Sequence, residues 1–171
     1  MTVPALFSFL AAVAASQHGG HVHGTGTIGI AASADGDVVA ELVVPADTIY
    51  GFERAPRDET ERGIIAAAHR HLLDTGRALS FNREAACDPS GSAILAGPFG
   101  HDAHDDAADE AHHDVSVTYR FRCARPGRIE RVETGLFARF RRFEDIDGVF
   151  VAPDRQTGFE LSATAPAARL R

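Results

Sequence analysis

Seven of the nine histidines in this 171-residue chain fall into two short stretches. The first is Gln17-His18-Gly19-Gly20-His21-Val22-His23-Gly24. In an extended segment side-chain direction repeats every two residues, so His21 and His23 point to one side and a single ion can receive both imidazoles without backbone strain. His18 can fold back through the two glycines as a third ligand. The second stretch, residues 100–114, reads GHDAHDDAADEAHHD and sets His101, His104, His112 and His113 among six carboxylates. Those carboxylates can ligate directly, can orient the imidazoles as hydrogen-bond acceptors, and hold a negative potential that concentrates divalent cations. Imidazole nitrogen suits zinc, copper, nickel and iron, so the chemistry these residues favour is capture of a transition-metal ion; Zn2+ is the expected one, although preference among these ions is set by a geometry that spacing does not give. The loose spacing of the second stretch predicts an adaptable, multi-ion collector, and the first predicts the more ordered site.

Export would bring these residues to such ions. Val3 to Ala15 is almost wholly apolar and small and is followed by Ser16 and Gln17, as in the apolar region and cleavage site of a secretory signal. A bilayer-spanning helix needs about 20 such residues, so the run predicts a cleaved leader and no stable membrane insertion. Residues 1–16 are expected to be the signal peptide and 17–171 the metal-binding domain. No Lys or Arg precedes the apolar run, so either the positive charge of the leader rests on the amino terminus alone or the true start lies upstream. With 17 Lys+Arg against 24 Asp+Glu and a formal net charge of -7, attraction to nucleic acid or anionic lipid is disfavoured and cations are the natural partner.

Two other chemistries compete. Cleavage after Ala15 would give a Ser16-Gln17-His18 start, whose amine, two amide nitrogens and imidazole offer square-planar coordination to Cu2+ or Ni2+; cleavage after Ser16 removes it. A zinc-dependent hydrolase would need an ion with an open position to activate water. His-Val-His-Gly lacks both an Asp-His continuation and a helical HExxH pair, so no enzyme is expected. His69 and His71 stand two apart in a helical segment, face different directions, and are expected to be ordinary surface residues. Cys87 and Cys123 are open to three readings: one disulfide in an oxidising compartment, two small buried hydrophobes, or thiolate metal ligands.

The positioning elements follow from periodicity. Thr27 to Ile30 and Val38 to Val44 read as strands around Ala34-Asp35-Gly36-Asp37, a strong hairpin signal. Tyr50 to Pro56 reads as an ordered loop. Asp58 with Glu61 three residues later forms a capping pair, Ile64, Ala68 and Leu72 recur every fourth residue, and Gly76 supplies a stop, predicting a helix from about Asp58 to Asp74. Leu79 and Phe81, then Ile94 and Leu95, suggest shorter strands. Residues 100–114 have no large apolar side chain to bury and are expected to form a mobile surface loop. Val115 to Cys123 alternates as a half-buried strand, and Ile129, Val132, Leu136, Phe140 and Phe143 are spaced as a second amphipathic helix. Val149 to Val151 and Phe159 to Ala163 close the chain as strands around a turn. The composition, 44% hydrophobic, suits one compact domain, α+β in class, with two halves of antiparallel strands and one main helix each, about 17–99 and 115–171.

Taken together, the Gln17 to Gly24 stretch, the block Pro45-Ala46-Asp47 to Gly51-Phe52-Glu53-Arg54-Ala55-Pro56, the central His/Asp loop, and Tyr119-Arg120-Phe121-Arg122-Cys123 followed by Leu136-Phe137 resemble the ZrgA-type family of periplasmic zinc-binding proteins. The pieces occur in order over essentially the whole mature chain. The resemblance implies a pseudo-symmetric fold, a periplasmic location, zinc binding largely by histidine, and support of zinc uptake through an import system, an ABC importer or its binding protein. The family's N-terminal histidine motif then corresponds to His21 and His23 with His18, and its histidine-rich loop to His101, His104, His112 and His113. The loop here is short and rich in aspartate.

Overall fold

The computed structural model describes residues 24–96 and 113–171. The expected leader, six of the seven expected metal-ligating histidines (His18, His21, His23, His101, His104 and His112) and nearly all of the central loop lie outside the described residues. What is described is α+β and mostly sheet.

Strand β1 (Thr25–Ala32) turns through Ala34 to Gly36 into β2 (Asp37–Pro45), the expected hairpin. Gly36 takes φ 97°, and a Cβ there would run into the Cys123 carbonyl, so turn geometry and a close approach both require glycine. Three helices follow: α1 (Ala46–Tyr50), α2 (Glu59–Leu72) and α3 (Thr75–Ala78). Next come β3 (Leu79–Phe81), β4 (Cys87–Ala96), β5 (Asp114–Cys123), β6 (Arg131–Thr134), β7 (Asp145–Ala152), β8 (Arg155–Ser162) and β9 (Ala167–Arg169). A six-stranded sheet runs β4-β5-β2-β1-β7-β8 and a three-stranded sheet runs β3-β6-β9; every pairing is antiparallel except β1 with β7. Strands from both sides of the central loop thus interleave in one sheet.

Alternation supplies the core. On β1 and β2, Ile28, Ile30, Val38, Ala40, Leu42 and Val44 are buried while Thr27, Gly29 and Glu41 face out; on β5, Val115, Val117, Tyr119 and Phe121 turn the same way. The Asp58 side chain accepts from the Glu61 backbone N–H at 2.9 Å, as the capping pair predicts. Removing it as Asp58→Ala should cost about 1 kcal/mol in urea unfolding. Cys87 and Cys123, opposite each other on β4 and β5, form a disulfide, which settles the three readings of this pair.

Three expectations are corrected. First, α2 buries Ile65, Ala68 and Leu72, leaving Ile64 exposed, and it ends at Leu72, short of Asp74; Gly76 lies inside α3 and stops nothing. Second, Tyr50 closes α1, a helix launched by Pro45 at its N-cap, and the loop begins only at Gly51. Third, residues 129–143 form no helix. Ile129, Val132, Leu136, Phe140 and Phe143 are all buried, but through strand β6 and tight turns. Pairing wins here: β6 lies between β3 and β9, Thr134 Oγ1 donates to the Ala78 carbonyl at 2.7 Å, and a Cβ at Gly135 would meet the Arg77 carbonyl. No helix among the described residues is long and apolar enough to cross a membrane.

Candidate functional site

The five residues of α1 are where the histidine-bearing segments meet the fold. The helix packs on β2, β5 and α2 and ends in a left-handed glycine, Gly51 at φ 88°, whose N–H donates to the Asp47 carbonyl at 2.7 Å. At its start the Ala46 N–H donates to the carbonyl of His113 at 2.8 Å. In its middle the buried Thr48 Oγ1 accepts from the N–H of Gly24 at 3.1 Å. At its end Tyr50 Oη lies 2.8 Å from His69 Nε2 on α2. A five-residue helix is about 7.5 Å long, so these three attachments are held close together.

Gly24 is fixed from both sides. Its carbonyl accepts from the N–H of Glu144 at 2.8 Å and of Asp145 at 3.2 Å, it takes φ 89°, and a Cβ would press on the Arg142 carbonyl at 3.1 Å. The sequence His23-Gly24 therefore delivers the first histidine stretch to a defined point of the sheet, between α1 and the start of β7. His113, half-buried, does the same for the end of the second stretch; the next residue, Asp114, pairs with Pro45. It is the one expected ligand within the described residues. Among those residues no three His, Cys, Asp or Glu side chains gather closely enough to hold an ion.

His69 is not the surface residue that the sequence suggests. It is half-buried, its ring stands 5.8 Å from that of Tyr50, and burial lowers its pKa. Burial also pushes the Tyr50 phenol up to about 12. The signal was present in the helix: indexed on Ile65, Ala68 and Leu72, the apolar face has His69 on its flank, whereas a face indexed on Ile64 puts it aside. His71, by contrast, is exposed as expected.

The segment joining α1 to α2 is clamped. Arg54 donates twice to Glu61, at 2.7 and 2.6 Å, and the Arg57 N–H adds a third bond at 2.6 Å. Those bonds, Arg54 first, hold the Glu61 carboxyl down at about 2. A carboxylate with a depressed folded-state pKa contributes stability above its ordinary pKa of 4.5 and loses it as pH falls towards 2. Glu61→Gln should thus be less stable than the parent at neutral pH, with the two unfolding curves converging between pH 4.5 and 2; circular dichroism against pH checks this.

Fold and site together define a mostly-sheet α+β domain that anchors histidine-bearing segments on one short helix. The chain belongs to the ZrgA family of zinc uptake proteins, whose description matches residues 20–170. A zinc-related role follows from that membership. No curated protein matches the chain.

Proposed function

We propose that this protein captures or buffers zinc in the periplasm and supports its delivery to an import system, without catalysing a reaction. His18, His21 and His23 form the ordered site, and His101, His104, His112 and His113 form a looser collector whose ligands exchange readily. Residues 1–16 direct export, and the pseudo-symmetry implied by the family relates the two sides of the loop. The observation that carries the reading is the family match across residues 20–170, which takes in His21, His23 and the whole second cluster. The anchoring of Gly24 and His113 on one helix supports it, because it leads both histidine stretches to the same end of the sheet. The disulfide fits an oxidising compartment.

Elemental analysis of the protein purified from its own cell envelope by osmotic shock tests this. Release with the periplasmic fraction carrying zinc is the expected result. Copper or nickel as the bound metal, or retention in the cytoplasm, would overturn it.

A further inference from the structure

The three-stranded sheet turns a charged face outward. On β6 and β9, Val132 and Ala168 pack on the core, whereas Arg131 and Arg169 are exposed and stand directly opposite each other. The backbone bonds of this pairing fall at its neighbours: the Leu170 N–H donates to the Glu130 carbonyl and the Thr134 N–H to the Pro166 carbonyl, both at 2.9 Å. Arg131 and Arg169 are thus a non-hydrogen-bonded pair, the kind whose side chains come closest, with Cα atoms about 4.5 Å apart. Like charges so placed repel and cost stability. The protein does little to offset this. Arg131 reaches Glu133 at 3.2 Å, but both partners are more than half exposed and the pair is weak. Arg169 makes no hydrogen bond or ion pair among the described residues.

The two arginines line a cavity of about 380 Å³ together with Asn82, Glu84, Glu130 and Arg171. That volume lies within the range of small-molecule sites, about 300–1,000 Å³. Its carboxylates are already engaged, since Glu84 accepts from Asn82 Nδ2 at 3.0 Å and Glu130 pairs with Arg171. Asn82 is fixed in turn, its Oδ1 accepting from the N–H groups of Glu130 and Arg131 at 2.8 and 3.1 Å. Those bonds use up backbone donors of the kind that cradle a phosphate. Guanidinium forks are left, and they match the planar carboxylate. Leu170 is buried between Arg169 and Arg171, so the two point out on one side of the strand, about 7 Å apart. Such spacing suits two acid groups on one small molecule.

We propose that this cavity binds a small anion carrying two or three carboxylate groups, one held between Arg131 and Arg169 and another at Arg171. The proposal does not depend on the zinc reading, and its test contains no zinc.

The test is calorimetric titration of the full mature, metal-free protein with citrate, succinate, acetate and inorganic phosphate, together with spectra of the arginine Nε–H groups. Ionic strength is held constant, because exposed arginines attract any anion at low salt. Two charge-assisted contacts predict a citrate dissociation constant of about 1 mM or tighter, with acetate, which has one acid group, about 10-fold weaker or more. Arg131→Gln and Arg169→Gln should each weaken citrate binding by about 10-fold or more. Arg70→Gln, at an exposed position of α2, should leave it within about twofold of the parent. Without citrate, Arg169→Gln should need at least as much urea to unfold as the parent, because it removes one of two opposed charges; an arginine with a merely structural role would show the reverse. The spectra of the parent decide even where a variant fails to fold. Arg131 and Arg169 signals unmoved at about 20 mM citrate, or inorganic phosphate binding more tightly than citrate, would overturn the proposal.

Discussion

Replacing His21 and His23 together with alanine should abolish the tightest zinc event, weakening apparent affinity by about 100-fold or more, roughly 3 kcal/mol. The expectation rests on two facts of the chain. Spacing by two residues presents both rings to one ion in an extended segment, and Gly24 fixes where that segment joins the sheet through Thr48, Glu144 and Asp145. Deleting the central loop should act differently, lowering the number of ions bound while leaving the tightest event. The deletion has to stop at residue 112, because the His113 carbonyl holds α1 and Asp114 pairs with Pro45. Calorimetric titration of both variants separates the roles. A loop deletion that removes the tight event, beside a His21/His23 variant that loses only stoichiometry, would reverse the ranking.

The second large effect concerns stability. The disulfide links the first residue of β4 to the last of β5 across a sequence separation of 36. For a loop of that length the entropy removed from the unfolded chain corresponds to about 4 kcal/mol at 25 °C. Domains of this size are stable by roughly 5–15 kcal/mol, so the loss is a large share of the total. Cys87→Ala with Cys123→Ala, which leaves no lone thiol, should show this in urea unfolding. A loss below about 1 kcal/mol would mean that pairing of β4 with β5 holds the chain ends without the bond. Zinc affinity should hardly change. Cys123 and Asp114 stand at opposite ends of a ten-residue strand, about 30 Å apart, so the bond is remote from α1.

Where local chemistry decides the structure, the sequence is readable. Alternation exposes β1, β2 and β5, Asp35-Gly36 marks the hairpin, and Asp58 with Glu61 marks the start of α2. Long-range choices are not encoded in any window. Nothing in β1 says that it will lie parallel to β7, nor in β5 that it will lie between β4 and β2, and these pairings merge the expected halves into one sheet. Residues 129–143 show the same limit, since spacings of three and four arise as readily from a strand followed by tight turns as from a helix. The site divides similarly. Residue type and crowding single out the histidine stretches, but His69 acquires a partner only when α1 and α2 pack, and α1 itself is a five-residue helix without a periodic signature.

The central claim is that neutral imidazoles bind zinc. Imidazole must lose its proton to ligate, and the unperturbed histidine titrates near about 6.5, so affinity should fall steeply below that pH. Zinc titration of the mature protein by calorimetry at pH 7.5 and 5.5 measures this directly. Tight binding at the higher pH, lost by about tenfold or more at the lower, is the expected result. Equal affinity at both would show that groups other than histidine hold the ion.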